Sequence, residues 1–338
     1  KTISAHSSSR NKGTSVFFTS NLFQNTKGRL YNAIRDPSGP TKFSTAKEIT
    51  FLGLTIASHT KHKEKRVVTT HSQELFGFMK FFYSQIWLTY RSGFPYLLNT
   101  KISSDMGWGC LIRALQMMIA RALLDYLAGR NAFPVNNQIY TKIIFHFLDR
   151  ADAENVLSIH NVMEEAKYFN LKPGDWFDPS RTCMIFRNLV KKTKTEFPCR
   201  IHISTDSTIK QEVIEAEAQF QDEQQENPDS PLTFHPMIIL LPARIGIGTI
   251  PEYFHEQLKY CLSLPFTIGI VGGKKDAAIY FVGYQGDDMI YLDPHHVHSA
   301  SEIRKKTFHC KYPRTMHITA VDPSIIIGFM VKTKTELE

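Results

Sequence analysis

Apolar residues recur at helical spacing in the first half of the chain. After a serine at position 72, one stripe comprises Leu75, Phe78, Met79, Phe82 and Ile86. A second stripe follows a cysteine at position 110 and comprises Leu111, Leu115, Met118, Ile119, Ala122, Leu123, Tyr126 and Leu127, with Gly129 after it. The first spacing predicts an amphipathic helix with a serine cap, and the second predicts a long, mostly buried helix over 110–128 that ends at the glycine.

The second half of the chain changes to runs of β-branched and aromatic residues interrupted by Gly, Pro and Asp. The runs are HPMIILLPARIG, FTIGIVGG, AAIYFVGYQGDDMIYLDPHHV and PSIIIGFMV. They predict strands, and YQGDD predicts a hairpin turn within one sheet. Two further helices are predicted, one from Pro179 and one near 251–264. Helices that precede a mainly antiparallel sheet indicate the α+β class.

The length and composition allow one large domain with additions. The chain has 338 residues, of which 42% are hydrophobic, an ordinary content for a protein with a buried core. Residues 1–45 are rich in Ser, Thr, Asn and Lys without any period, so we expect a basic, disordered N-terminal extension. Residues 46–338 form the predicted domain. Within it, 206–229 carries 8 acidic residues against one lysine and predicts an inserted acidic loop or frayed helix.

Charge and cysteine usage narrow the class of protein. The net charge is +8, but residues 1–70 hold 12 Lys and Arg against 3 Asp and Glu. The remainder is close to neutral, which argues against a nucleic-acid-binding protein. The five cysteines are widely spaced without a CxxC pair, which favours a reducing compartment, and we expect a cytoplasmic protein. The apolar runs fall far short of the roughly 18 residues of a membrane span, and no secretory signal is predicted.

The stretch SSDMGWGCLIRAL places Cys110 where a glycine-rich turn meets the long predicted helix. A helix N-terminus carries about half a positive charge, which stabilises a thiolate. Gly107 and Gly109 permit a tight turn and the close approach of a substrate chain, and Trp108 between them is expected to pack the turn in place. A buried cysteine without a chemical role would give the same local pattern, so a partner base has to decide between the two interpretations.

The best candidate for that base lies in YLDPHHVHS, where Asp293 and His295 are two residues apart at the end of a predicted strand. The period of two puts both side chains on one face, so that Asp293 would orient His295 toward a thiolate. In the alternative interpretation, His295, His296 and His298 are metal ligands, although neither HExxH nor a paired CxxC accompanies them. The segments GIVGGKK and GIGTIP lack the spacing of nucleotide-binding motifs, and no cofactor is expected.

Two segments resemble a known family. SDMGWGCLIRALQMMIARAL is similar to the nucleophile segment of the autophagins, the autophagy-specific cysteine proteases, and YFVGYQGDDMIYLDPHHV is similar to their Asp-Pro-His segment. IWLTYRSGFPYL, PGDWFDPS, IGIVGGKKDAAIYFVGY, FHCKYP and DPSIIIGF match in the same order, over about residues 48–330. The resemblance implies a papain-like fold, with a helical part that includes the nucleophile helix and a mainly antiparallel sheet. It also implies a cysteine endopeptidase that cleaves after the C-terminal glycine of a ubiquitin-like autophagy modifier of the GABARAP class.

The same resemblance implies catalytic roles for four residues. Cys110 is then the nucleophile, His295 is the general base and acid, and Asp293 orients the imidazole. The Tyr90 hydroxyl and the Cys110 backbone N–H would form the oxyanion hole, where donors face the developing negative charge. Without the resemblance, Tyr90 would be read as an ordinary core aromatic residue.

Substrate contacts are implied as well. Trp176 would lie over the nucleophile, and Gly272 and Gly273 belong to a segment, 272–277, that would form a mobile lid opposite it. The expected partner is the modifier, both as a free precursor and conjugated to phosphatidylethanolamine, with transient contact with a membrane surface. We expect a monomer that binds neither nucleic acid nor a metal.

One departure from the family and two rival functions stay open. The C-terminal segment GFMVKTKTELE lacks the acidic-flanked aromatic-x-x-aliphatic peptide with which family members dock on the modifier. A reader of the modifier that does not cut it is one rival, although such a protein would have no need of Cys110, Asp293, His295 and Tyr90 together. A metal-dependent hydrolase is the other, and it predicts inhibition by a chelator and no effect of iodoacetamide.

Overall fold

A large sheet between helices carries the fold. The computed structural model describes residues 27–28, 30–32, 41–44, 47–56, 67–69, 75–193, 197–206, 208–220 and 233–338. In these residues the α-helices are α1 (Phe76–Ser84), α2 (Cys110–Leu127), α3 (Asn137–Phe145), α4 (Ile159–Ala166), α5 (Pro179–Lys192), α6 (Gln211–Ala218), α7 (His255–Ser263) and α8 (Lys334–Leu337). The strands are β1 (Lys42–Ser44), β2 (Ile49–Phe51), β3 (Leu54–Ile56), β4 (Val67–Thr69), β5 (Tyr90–Ser92), β6 (Arg200–Ile203), β7 (Gln219–Phe220), β8 (Thr233–Phe234), β9 (Met237–Arg244), β10 (Thr267–Lys274), β11 (Ala277–Gln285), β12 (Asp288–Leu292), β13 (Val297–Ser299), β14 (Arg314–His317) and β15 (Ser324–Val331).

The main sheet has the strand order β14-β12-β11-β10-β15-β9-β6. Its neighbouring strands are antiparallel except β6 and β9, which are parallel. β2 also pairs with β11, and β3 pairs with β2. The predicted α+β class with a mainly antiparallel sheet is confirmed.

Alternate side chains of the central strands enter two different cores. On β11, Tyr280 and Val282 pack in the core that contains α2, whereas Ile279 and Phe281 pack in the core that contains Leu258 of α7. Successive side chains of a strand point to opposite faces, so a sheet that is covered on both sides needs apolar residues at every position. This double burial explains the uninterrupted apolar run at the centre of β11.

The central helix, α2, is buried more completely than its sequence pattern predicts. Every side chain from Cys110 to Asp125 is buried, because one side of the helix packs on β10, β11 and β15 and another side packs on α3 and α5. The polar Gln116 finds a partner inside the core, where its side chain donates a hydrogen bond to the Leu157 carbonyl oxygen at 2.6 Å. The helix predicted over 110–128 is confirmed, but the single apolar stripe underestimated its burial.

The other local predictions are also confirmed. α5 begins at Pro179, and the carboxylate of the preceding Asp178 accepts the N–H of Arg181 at 3.0 Å as an N-cap. α7 lies in the range predicted for a helix near 251–264, and Gln285 pairs with Asp288 across the YQGDD turn. α1 begins at residue 76, and the serine cap predicted at residue 72 lies outside the described residues.

The N-terminal extension and the acidic insert both contain ordered parts. β1 lies before the expected boundary at residue 46, and its Phe43 is 1% exposed because it packs in the main core, so disorder is wrong for these residues. Residues 27–28 and 30–32 are helical, and the remainder of 1–40 lies outside the described residues. Within the insert, α6 is a helix that buries Ile214 and Ala218, whereas 221–232 lies outside the described residues. In the described part of the chain, no helix combines the length and the apolar character that crossing a membrane requires.

Candidate active site

Cys110 is the first residue of α2 and follows a tight turn. Gly107 has a φ of +91°, in the left-handed region that favours glycine, and no heavy atom lies within 4 Å of where its Cβ would be. Gly109 has an ordinary φ of −84°, but a Cβ there would lie 2.6 Å from Oδ2 of Asp105. The glycines therefore serve the backbone turn and the packing of Asp105. The tight turn predicted from the two glycines is confirmed, and the close approach of a substrate chain stays a prediction.

Trp108 packs the turn in place, as predicted. Its indole N–H donates a hydrogen bond to the Ser104 carbonyl oxygen at 3.1 Å. Its ring stacks on Phe177, with 6.4 Å between the ring centroids. Both contacts hold the turn that precedes Cys110, here called the nucleophile turn.

Asp293 and His295 form a hydrogen-bonded pair just beyond the end of β12. Oδ1 of Asp293 lies 2.6 Å from Nδ1 of His295 and accepts the backbone N–H of His295 at 2.9 Å. β12 ends at Leu292, so a local turn around the aspartate brings the side chains together, and not the alternation along a strand. Arg314 donates to Oδ2 of the same carboxylate at 2.8 Å, and the Trp87 indole N–H donates to the Asp293 carbonyl oxygen at 2.7 Å. The predicted contact is confirmed, with a different local cause.

A short parallel pairing brings His295 to the nucleophile turn. Tyr90 on β5 lies opposite Val297 on β13, only two residues after His295. Because Nδ1 of the imidazole contacts Asp293, Nε2 remains for Cys110, which lies close enough to raise the pKa of His295. The structure therefore brings Cys110, His295 and Asp293 into one continuous chain of contacts.

The electrostatics of this chain favour an imidazolium. Burial lowers the pKa of His295, but the hydrogen bonds and charges of Asp293 and Cys110 outweigh it and raise the pKa to about 9. Burial likewise opposes ionisation of Asp293, yet its hydrogen bond to His295 and the charge of Arg314 hold the pKa of Asp293 below its ordinary value. At neutral pH the imidazole is thus protonated and the carboxylate is ionised.

Tyr90 completes the cluster. Its side chain is buried, and its ring stands almost perpendicular to that of His295, with 5.5 Å between the centroids. The hydroxyl lies within hydrogen-bonding reach of Cys110. Burial first, and then the charge of Cys110, raise the pKa of Tyr90 far above its ordinary value, so the phenol keeps its proton and can act as a donor.

Trp176, Gly272 and Gly273 meet in one groove beside Cys110. The groove has a volume of about 220 Å³, and Leu111, the neighbour of Cys110, contributes to its wall. Trp176 is 48% exposed, which leaves its ring available to a ligand. Gly272 and Gly273 lie at the end of β10, next to the tight turn into β11, and the Gly273 carbonyl oxygen accepts the N–H of Asp322 at 2.7 Å. The segment expected to be a mobile lid is here the tip of a hydrogen-bonded hairpin.

The remaining histidines of the motif, His296 and His298, pack on each other with 4.7 Å between the ring centroids and both lie against Trp87. His296 contacts the Asn32 amide at 3.2 Å, and Nδ1 of His298 lies 2.9 Å from the Thr89 hydroxyl. Burial, followed by the charge of Arg91, lowers the pKa of His298 to about 3. No group of three or more His, Cys, Asp or Glu side chains within the described ranges could hold a metal ion.

Sequence reasoning missed several residues around the site. Asp105 lies under the nucleophile turn, and Arg314 and Trp87 hold Asp293. From the predicted N-terminal extension, the Tyr31 ring packs against Tyr90 with 6.3 Å between the centroids. Asp105 belongs to the SSDMGWGC motif, so the sequence itself pointed to it. The other contacts join residues far apart in the chain, which a sequence pattern does not reveal.

Comparisons with known proteins agree with this geometry. Residues 76–338 match the family described as the Peptidase C54 catalytic domain. Among curated relatives, the cysteine protease ATG4B of Xenopus laevis is 32% identical over 283 residues, which cover 75% of this chain and 71% of that protein. The cysteine protease ATG4B of Gallus gallus is 30% identical over 285 residues, covering 75% and 72% respectively. The cysteine protease ATG4A of Oryza sativa subsp. japonica is 29% identical over 286 residues, covering 77% and 60%.

Proposed function

Because the chain belongs to the peptidase C54 family, and is therefore a cysteine-type peptidase with a papain-like fold, we propose that it processes a ubiquitin-like modifier in autophagy. The bond cleaved is the one after the C-terminal glycine of the modifier, in the free precursor and in its conjugate with phosphatidylethanolamine. The observation that carries this proposal is the chain of contacts from Cys110 through His295 to Asp293 at the N-terminus of a buried helix.

Cys110 is the nucleophile in this proposal. Its sulfur lies beside the protonated imidazole of His295 and at the positive end of α2. The thiolate attacks the glycyl carbonyl carbon, and the negative charge moves to the carbonyl oxygen. Two donors are available for that oxygen: the protonated Tyr90 hydroxyl and the backbone N–H of Cys110, which has no partner four residues earlier within the helix.

His295 then acts as acid and as base. Its Nε2 donates a proton to the leaving amine as the carbon–nitrogen bond breaks, which leaves a thioester on Cys110 and a neutral imidazole. The same nitrogen removes a proton from water, whose oxygen attacks the thioester carbonyl. Collapse of the second tetrahedral intermediate releases the glycine carboxylic acid, which loses its proton to solvent, and restores the thiolate and the imidazolium. Asp293 holds the ring through Nδ1 during both steps.

The groove beside Cys110 supports specificity for a slim C-terminal tail. Gly272 and Gly273 present no side chains, and the exposed face of Trp176 is available to cover an extended backbone. A glycine before the scissile bond would fit such a groove, whereas a bulky residue would contact these walls. The leaving amine can be that of a peptide or that of phosphatidylethanolamine, since Nε2 of His295 protonates either. We propose that a cytoplasmic monomer acts on the free precursor and touches the membrane only while it acts on the conjugate.

The test is cleavage of a GABARAP-class modifier that carries a C-terminal reporter after its glycine. Wild type is expected to release the reporter with the modifier ending in glycine by mass, and Cys110→Ala is expected to bind the modifier without cutting it. The same pair is assayed on the modifier coupled to phosphatidylethanolamine in vesicles. Binding by both proteins without cutting by wild type would identify a reader of the modifier. Inhibition by a chelator but not by iodoacetamide would identify a metal-dependent hydrolase.

A further inference from the structure

Two elements of the site, β5 and the nucleophile turn, meet at Asp105, the first through its carboxylate and the second through its carbonyl oxygen. Oδ1 accepts the backbone N–H of Arg91, the residue after Tyr90, at 2.6 Å. The Asp105 carbonyl oxygen accepts the N–H of Gly109, the residue before Cys110, at 2.9 Å. One buried residue therefore connects the backbone beside the hydroxyl donor to the backbone beside the nucleophile.

The third connection runs to α2 itself. Oδ2 of Asp105 accepts the Nε–H of Arg113 at 2.6 Å, and both side chains are almost completely buried. Arg113 lies one turn after Cys110, so this bond fixes the first turn of the helix against the carboxylate. The position of the first helical N–H groups, which face the developing oxyanion, thus depends on Asp105.

The absence of a side chain at Gly109 belongs to the same arrangement. A Cβ at this position would lie 2.6 Å from Oδ2, 2.7 Å from Cβ and 3.0 Å from Cγ of Asp105. Contacts this short are not tolerated, so an alanine would displace the carboxylate or the turn. The glycine immediately before the nucleophile is therefore the counterpart of the buried aspartate.

Arg113 also neutralises the aspartate. A buried carboxylate near a thiolate would oppose its negative charge, and the charged guanidinium bonded to that carboxylate removes most of the effect. The guanidinium is shared with Asp149, which lies 3.0 Å from Nη1 and 3.1 Å from Nη2. Asp149 is paired with the same arginine as Asp105, but its bonds to that guanidinium do not involve β5 or the nucleophile turn.

We infer that Asp105 is a positioning residue that sets the distance between the Tyr90 hydroxyl, the Cys110 thiol and the start of α2. This role rests on the proposed function, in which Cys110 is the nucleophile and Tyr90 an oxyanion donor. A positioning role differs from a purely structural one because replacing Asp105 is expected to lower kcat by more than its effect on folding stability explains.

The test compares Asp105→Asn with Asp149→Asn. Asparagine offers one acceptor oxygen where aspartate offers two, so each variant weakens the charged contact with Arg113. Only in Asp105→Asn do Arg113 and the backbone N–H of Arg91 compete for that single oxygen. We expect kcat of Asp105→Asn to fall about 100-fold, the effect of displacing reacting groups by roughly 1 Å, with KM for the reporter-tagged modifier unchanged. Asp149→Asn is expected to lower the melting temperature about as much as Asp105→Asn does. Its kcat is expected to stay within about threefold of wild type. Equal losses of kcat in both variants would overturn the inference.

A second variant and a second measurement keep the test decisive. If Asp105→Asn does not fold, Gly109→Ala displaces the carboxylate or the turn without removing the charge of Asp105, and it too is expected to lose kcat with KM unchanged. A folded Gly109→Ala with wild-type kcat would count against the positioning role.

Alkylation of Cys110 by iodoacetamide at pH 6, followed by peptide mass spectrometry, needs no modifier. It is expected to slow in Asp105→Asn and not in Asp149→Asn, because the thiolate depends on its position beside His295. Failure of wild type to cut the modifier would refute the proposed function. The alkylation rates would still show whether Asp105 positions the Cys110 thiol.

Discussion

Arg314 donates a hydrogen bond to Oδ2 of Asp293 at 2.8 Å, from the first residue of the strand at one edge of the main sheet. Its backbone lies opposite Tyr291, two residues before Asp293, so the register of β14 on β12 sets the distance between the guanidinium and the carboxylate. The other oxygen of that carboxylate contacts His295. The sheet edge therefore contributes to the orientation of the imidazole from the side remote from Cys110.

Arg314→Gln is expected to lower kcat about tenfold with KM unchanged. The glutamine can keep a neutral hydrogen bond but not the charge, and the loss of a charge-assisted bond of about 1.4 kcal/mol corresponds to that factor. Steady-state kinetics with the reporter-tagged modifier measure the effect. The control is Arg304→Gln, because Arg304 is exposed and pairs with Glu302 away from the triad. A kcat equal to that of the control would show that Asp293 needs no second partner.

This contact also shows which parts of the site a sequence can reveal. The start of α2 at Cys110 and the pairing of Asp293 with His295 depend on local chain geometry, and both were predictable from spacing. The bond from Arg314 depends on the register of two strands whose partners are 21 residues apart in the chain. The approach of Tyr90 to His295 depends on a parallel pairing of β5 with β13 across more than 200 residues, and only a family resemblance indicated it.

The elements of the fold likewise divide into those that local spacing predicts and those that depend on distant partners. The long helix α2 and the central strands carry strong periodic signals over many residues. β2 and β3 have three residues each, too few for a period to be seen, and they were missed although Phe51 is in the core. The all-round burial of α2 could not be predicted, because its polar positions are buried by partners from other elements.

The pKa of His295 makes stability depend on pH. Folding raises this pKa from an ordinary value of 6.5 to about 9, so the protonated ring stabilises the folded state in full below about pH 6.5. The contribution, on the order of 3 kcal/mol, is lost as the pH rises through 9. The difference in unfolding free energy between wild type and His295→Gln, measured by urea titration, is expected to be larger at pH 6 than at pH 10 by this amount.

His309 provides a control of opposite sign for that experiment. Burial lowers the pKa of His309, so its neutral form is favoured by folding and stability is lost as the pH falls below its ordinary value. The difference between wild type and His309→Gln should therefore change in the opposite direction between pH 8 and pH 5. A pH-independent difference for His295→Gln would contradict an imidazolium in the folded enzyme.

Tyr90→Phe is expected to lower kcat by roughly 10²- to 10³-fold, the usual effect of removing one oxyanion donor, while KM stays close to that of wild type. Single-turnover kinetics on the reporter-tagged modifier separate acylation from product release. The matched control is Tyr280→Phe, which removes another buried hydroxyl, one that donates to the Ile268 carbonyl oxygen at 2.6 Å in the main core. This control should lose about 1 kcal/mol of stability without a change in kcat. Wild-type kcat in Tyr90→Phe would leave the backbone N–H of Cys110 as the principal donor.

The attachment of the N-terminal strands to the main sheet depends on Gly283. A Cβ at this position of β11 would come inside contact distance of the Thr50 carbonyl oxygen and 3.0 Å from Cα of Phe51, both on β2. Because these are backbone atoms of a paired strand, they cannot rotate away, and Gly283→Ala is expected to destabilise the protein by about 1–3 kcal/mol in urea titrations. Gly77→Ala is the matched control, since no heavy atom lies within 4 Å of its Cβ position in α1, and alanine should stabilise this helix by about 0.5–1 kcal/mol. Equal and small effects of the two substitutions would mean that β2 is not held against β11 in solution.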